Sequence, residues 1–184
     1  MPMNTKRQHS PAVRSAFTLI EILVVMVIIA VLMCLLFPAI AAVRNAMNKS
    51  HTAARAQVMV NAIKLYRTQY STWPGQMQGD VDKVYDDSTA TRKHAILIDA
   101  LTNNPRRIFF SDLVENLTSN TLLDAWNRPY VIAIDESGDG VVSNMSSTIG
   151  TVTFGPVRVP DQVAIMSWGR NPTNASNRLY SWIR

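Results

Sequence analysis

The sequence predicts an α+β chain in which a long N-terminal helix, apolar in its first half and amphipathic in its second, packs on a small antiparallel β-sheet. Three observations carry this. From Ile22 to Val43 about 22 residues pass without a charge, where a helix needs about 20 to cross the hydrocarbon of a bilayer. Helical periodicity then continues to Tyr70, and from Pro129 onward it gives way to short strand-like runs separated by turn residues. Helices followed by strands, without alternation, favour an antiparallel sheet over a parallel one.

A chain of 184 residues has room for one membrane segment and one modest soluble domain. Its hydrophobic content of 47% is concentrated in the first quarter, so the remainder has the composition of an ordinary soluble domain. Cys34 is the only cysteine and lies within the apolar run, which leaves no intramolecular disulfide. Lys6, Arg7 and Arg14 supply three of the +5 net charge, leaving +2 spread among acids elsewhere. No basic stripe with interleaved aromatics is present, so nucleic acid is not an expected partner. His9, His51 and His94 lie in separate segments, and neither a phosphate-binding loop nor cysteine metal spacing occurs, so a structural rather than enzymatic role is expected.

Taken in order, residues 1–16 read as a short basic leader ending at Ala16, residues 17–43 as the transmembrane helix, and residues 44–184 as the soluble domain with the amphipathic half of the helix. The basic flank holds the N-terminus in the cytoplasm and sends the soluble domain outward, against the weaker pull of Arg44, Lys49 and Arg55. Glu21 is the anomaly, because a carboxylate at membrane depth costs about 2.5 kcal/mol or more and needs a partner. A cut between Ala16 and Phe17 would place a new amine beside the first helical turn; without it, Glu21 would sit wet at headgroup level. Pro38 removes a backbone donor and is expected to kink the helix.

The outer half of the helix carries Met59, Ile63, Tyr66, Tyr70 and Trp73 at steps of four and three, flanked by Val58, Ala62 and Leu65, with Arg55, Asn61, Lys64 and Arg67 on polar positions. Trp73-Pro74-Gly75 stops it. Residues 76–91, with Asp80, Asp82, Asp86 and Asp87, read as an exposed, solvated connection. A short helix is expected over Lys93–Leu101 and another behind the N-cap of Ser111–Glu115, with Phe109 and Phe110 plugging the core between them. Strands are expected over Pro129–Asp135, Thr151–Phe154, Gln162–Trp168 and Leu179–Ile183. The segment Asp135-Glu136-Ser137-Gly138-Asp139-Gly140 begins like a calcium loop, with Asp135 and Asp139 as candidate ligands. Ser146 stands where the closing glutamate belongs, and a hairpin turn explains the same glycines.

The run Arg14-Ser15-Ala16-Phe17-Thr18-Leu19-Ile20-Glu21-Ile22-Leu23-Val24-Val25 resembles the cleavage and methylation segment of type IV prepilins and of the pseudopilins of type II secretion. The resemblance implies that a prepilin peptidase cuts between Ala16 and Phe17 and methylates the Phe17 amine, and that Glu21 guides assembly. Ala16 departs from the glycine usual before the cut. Pro38 falls where many members carry a helix-loosening proline, and Tyr66–Pro74 is similar to the end of the pseudopilin helix. Leu123-Asp124-Ala125-Trp126-Asn127-Arg128-Pro129-Tyr130 resembles the Asp-Pro-Trp-Gly-Asn-Pro-Tyr segment of major pseudopilins.

Together these imply a pilin-like fold and a structural subunit of a type II secretion-like pseudopilus. The partners implied are the prepilin peptidase, other pseudopilin subunits, an inner-membrane assembly platform and, before assembly, membrane lipid. The subunit would begin as a single-pass inner-membrane protein with a periplasmic domain and end in a periplasmic filament. Major pseudopilins bind calcium in a loop near the C-terminus, which would here be Gly169–Tyr180; that loop has no Asp or Glu, so calcium is not carried over. Its asparagines are expected instead to cap turns. Three other readings stay open: a type IV or competence pilin that binds DNA or surfaces, an uncleaved anchor, and a secreted protein whose signal peptide is cut after Ala39-Ile40-Ala41.

Overall fold

A computed structural model describes residues 18–75, 81–89, 92–103, 117–118 and 120–183. The leader, Ala16 and Phe17, the helix expected over Ser111–Glu115, and Phe109 and Phe110 lie outside the described residues. The chain's contacts divide after Val43 into two units.

Helix α1 runs from Leu19 to Tyr70, as its periodicity predicts, and continues through Pro38. Proline lacks the donor that would bond the Cys34 carbonyl, so that one intrahelical bond is missing. In the first unit every residue of α1 is exposed, including Leu35 at 70% and Phe37 at 67%.

In the second unit Thr52, Ala56, Met59, Val60, Ala62 and Ile63 are buried. These positions fall on one arc of the helix. Val58 and Leu65 remain exposed, because they lie about 100° to 120° from Met59 around the helix. Helix α1 ends before the expected Trp73-Pro74-Gly75 signal. Ser71 adopts the left-handed conformation at φ +58° and bonds back to the Arg67 carbonyl at 2.8 Å. Trp73 then folds into the core, and Arg67 lies 4.1 Å over its ring.

Four strands form an antiparallel sheet in the order β1 (Lys83–Tyr85), β4 (Val131–Ile134), β7 (Val163–Ser167) and β8 (Leu179–Tyr180). Helix α2 (His94–Thr102) precedes a small ladder of β2 (Leu117–Thr118) and β3 (Thr121–Leu122), and a hairpin is made by β5 (Val142–Ile149) and β6 (Val152–Val159). The central strands are buried on both faces. Ile132, Ile134, Val163 and Ile165 pack with Met59 and Ile63 of α1, whereas Val131, Ala133, Ala164 and Met166 pack with Val142, Met145, Phe154 and Val159 of the hairpin. A strand wedged between two apolar layers reads as a continuous hydrophobic run, which is why β4 and β7 were legible in the sequence.

Three features depart from expectation. The supposedly exposed connection contains edge strand β1, whose Tyr85 is 1% exposed. Asp86 and Asp87 are not simply solvated: Asp86 is buried 3.2 Å from Arg92, and Asp87 accepts the His94 amide at 3.0 Å. Strand β5 was unforeseen because its sequence is rich in Ser and Asn, and β6 runs through Gly155-Pro156, which reads as a break. Packing of Val142, Met145, Phe154 and Val159 on the sheet overrides those local preferences, and register shifts between Val142 and Ser147 absorb the mismatch.

Candidate functional site

The first functional element is the start of α1. Thr18 is followed three residues later by Glu21, the spacing of a capping box. The Glu21 Oε2 atom accepts the Thr18 amide at 2.7 Å and the Thr18 hydroxyl at 2.8 Å, and the Glu21 amide donates to Thr18 Oγ1 at 3.3 Å. The carboxylate thus has a partner on its own chain. Its other oxygen, Oε1, accepts no hydrogen bond among the described residues and retains its lone pairs for a cation. Thr18 is the member the sequence reasoning missed, although Thr-x-x-Glu before an apolar run is a readable signature.

Behind this carboxylate lies an apolar strip of Leu19, Ile22, Leu23, Met26, Val27 and Ala30. Its steps of three and four put it on one face of the helix. The helix is long and apolar enough to cross a membrane by length and composition. Pro38 lies inside it. An apolar helix face in this setting does two things: it dissolves in lipid, and it packs against other apolar helices when they replace the lipid.

The second element is the turn at residues 124–128, in the other unit. Asp124 is 3% exposed and accepts the amides of Trp126 at 2.8 Å and Arg128 at 3.0 Å, together with the Ser167 hydroxyl at 2.7 Å. The Ser167 oxygen in turn accepts the Gly169 amide at 3.0 Å, and Arg128 donates to the Gly169 carbonyl. On its other side the turn meets α1, where Thr52 Oγ1 accepts the Ala125 amide at 3.2 Å and the Thr52 carbonyl accepts the Tyr130 hydroxyl at 3.1 Å. The segment picked out by sequence therefore ties the helix, strand β7 and the C-terminal loop together. Gly169 is needed there, since it sits at φ +67° and a Cβ would overlap the Asn177 carbonyl.

The candidate calcium residues have other employment. Asp135 is fully buried; Oδ1 accepts the Ser137 hydroxyl at 3.0 Å and the Gly138 amide at 2.6 Å, and Oδ2 accepts the Gly140 amide at 2.8 Å. Asp139 accepts the Val141 amide at 2.9 Å. Both carboxylates act as turn acceptors, and among the described residues no three of His, Cys, Asp or Glu are gathered to hold a metal ion. In the C-terminal loop Asn171 accepts from Thr173 and Asn174 from Ser176, the capping expected of asparagine.

A further cluster, not foreseen, surrounds His94. Its ring is enclosed, with Nδ1 2.9 Å from Asp87 Oδ2 and Nε2 2.9 Å from the Tyr130 carbonyl. The Leu122 amide approaches Nδ1 at 3.2 Å. With Nε2 turned to backbone carbonyls, this pair joins β1, α2, β3 and the start of β4 rather than facing a cleft. Burial pushes the Asp87 carboxyl up, but hydrogen bonds from His94 and Thr121 and the electrostatic pull of the ring outweigh it and hold the group at about 2.

Comparison with known proteins singles out the first element. Curated proteins and solved structures give no match to the chain. Residues 12–37 match the prokaryotic N-terminal methylation motif, a segment that takes in Ala16, Phe17, the Thr18–Glu21 box and most of the apolar run. That match, at the head of a helix able to enter a membrane, supports a type IV pilin-like protein that is handled by a prepilin peptidase and assembles with other pilin subunits.

Proposed function

We propose that the chain is a structural subunit of a pseudopilus of the type II secretion kind. It is cut between Ala16 and Phe17, methylated on the Phe17 amine, and assembled through its N-terminal helix. The observation that carries the proposal is the Glu21 carboxylate, half satisfied by Thr18, at the head of an exposed apolar face inside the methylation motif. In the inner membrane Thr18 lowers the penalty of a carboxylate near the hydrocarbon. In the filament Oε1 pairs with the Phe17 amine of its own or a neighbouring chain, and the strip from Leu19 to Ala30 exchanges lipid for helix contacts at little net change in apolar burial.

The similarity of Leu123–Tyr130 to a major-pseudopilin segment supports the secretion type. The soluble domain lies on the periplasmic side and sets contacts along the filament, and the subunit is a substrate of the peptidase rather than an enzyme. Asp135 and Asp139 serve the turn that joins β4 to β5, two strands of different sheets and so not the hairpin the glycines suggested, and calcium is no part of the proposal. Amino-terminal sequencing of the mature protein tests it. A start at methylated Phe17 is expected, and a start at Ala42 would show an ordinary signal peptide and overturn the reading.

A further inference from the structure

The cations of α1 are treated unequally by the fold. Between Glu21 and Tyr70 the helix has no acidic residue, yet it carries Arg44, Lys49, Arg55, Lys64 and Arg67. The last two are engaged within the soluble unit: Lys64 Nζ lies 2.7 Å from Asp161 Oδ1, and Arg67 stacks 4.1 Å from the centre of the Trp73 ring. Arg44, Lys49 and Arg55 form no ion pair among the described residues. Arg44 and Lys49 are exposed and Arg55 is half-buried.

Their position relative to the apolar run decides what they meet. With a rise of about 1.5 Å per residue, Lys49 follows Val43 by about 9 Å of helix and Arg55 by about 18 Å. The headgroup layer of one leaflet is about 5–7 Å thick. Arg44 lies within it, and the long side chain of Lys49 reaches back to it. Arg55, half-buried and about 11 Å beyond that layer, is out of its reach. Around the helix, Arg44 and Arg55 share a face, while Lys49 points about 140° away from Arg44. Arg44 and Lys49 thus face apart, which suits headgroups on both sides of a helix and suits poorly a one-sided polyanion such as a duplex.

We propose that Arg44 and Lys49 form a cationic collar that binds the phosphates of anionic phospholipids in the leaflet facing the soluble domain. Guanidinium and ammonium groups with no carboxylate partner among the described residues take phosphate oxygens as charge-assisted acceptors. The collar sets the depth of the subunit before assembly. It rests on the reading of α1 as membrane-spanning.

The test uses the full chain reconstituted in vesicles of equal phosphatidylglycerol and phosphatidylcholine, with retained lipid counted by native mass spectrometry. Preferential retention of phosphatidylglycerol is expected, falling about fivefold for each cation removed in Arg44→Gln and Lys49→Gln, and largely kept in Arg44→Lys. Both side chains are exposed, and resistance of the double variant to alkaline extraction checks that it remains inserted. Equal retention of the two lipids, or a preference unchanged in the double variant, overturns the collar. Capture of a short DNA duplex in phosphatidylcholine vesicles, lost in the double variant, would reassign the cations to nucleic acid and also overturn it. Self-association in phosphatidylcholine vesicles that the double variant abolishes would seat a second copy there, with the same consequence. Release of the wild-type chain by alkaline extraction would instead remove the spanning reading, and the collar with it.

Discussion

Replacing Asp124 by Ala tests whether the turn at residues 124–128 holds the soluble domain together. The carboxylate accepts three donors, the amides of Trp126 and Arg128 and the hydroxyl of Ser167, at 2.8, 3.0 and 2.7 Å. A hydrogen bond to a charged group contributes about 1.5–3 kcal/mol, and a buried donor left without a partner costs about 1–3 kcal/mol. Trp126 and Arg128 lie in a half-exposed turn where water replaces much of the loss, but Ser167 is 1% exposed and water cannot reach it. The sum is about 3–5 kcal/mol. Asp139→Ala is the control, because that residue is exposed and accepts one amide at 2.9 Å; its removal should cost under about 1 kcal/mol. Urea unfolding of the full chain in detergent, followed by tryptophan fluorescence, reads the soluble unit alone, since all 4 tryptophans lie beyond residue 70. At about 2–4 °C per kcal/mol, the Asp124→Ala midpoint in a thermal scan should drop by about 6–20 °C. A loss no larger than that of Asp139→Ala would refute the role given to this turn.

Glu21→Ala should leave membrane insertion and leader removal intact while reducing the subunit recovered in sheared filaments; normal recovery would contradict the pairing of Glu21 with an amine. The Asp87 carboxyl is held near 2 in the folded chain, below its free value of about 3.9, so the stability it supplies is complete above that value and is lost as pH falls through the folded one. Asp87→Asn should therefore be less stable than wild type at neutral pH and decline less on acidification over that window, read from urea midpoints; parallel pH curves would dismiss the His94 pairing as a contributor. Glu136 has a fully enclosed side chain with Lys83 Nζ at 3.5 Å, and burial pushes its carboxyl up despite the opposing Lys83 charge. Wild type should thus gain stability from this group as pH is lowered from neutral, and Glu136→Gln should match or exceed wild type by about 1 kcal/mol at neutral pH. A loss above about 1 kcal/mol would show that the ion pair outweighs its desolvation.

Long-period patterns were the legible part of this chain. Helix α1 declares itself because 3.6-residue periodicity over many turns, and an uncharged run of membrane length, need no knowledge of the partner surface. Strands β4 and β7 declare themselves as continuous apolar runs. The carboxylate at Glu21 was conspicuous for the same local reason, a charge where the environment tolerates none. Its Thr18 partner was equally local and could have been read from the capping-box spacing.

What escaped the sequence is what distant contacts create. The polar β5 becomes a strand because Val142 and Met145 find Ala164 and Met166, residues about twenty positions away, on the second face of the sheet. Asp86 and Asp87 read as solvated carboxylates and Asp135 as a candidate calcium ligand; their partners Arg92, His94, Gly138 and Gly140 are near in sequence, and it is the packing of remote segments around them that takes the carboxylates out of water. Asp124 goes further, since its Ser167 partner itself is 43 residues along the chain. Sequence by itself determined the helix, its membrane-length apolar half and the lone carboxylate at its head, since each depends on near neighbours and on the solvent. Tertiary structure alone decided which polar groups are buried, because remote segments must pack over a charge to exclude water, whether the donors that replace the water are near neighbours, as for Asp135, or distant, as for Asp124.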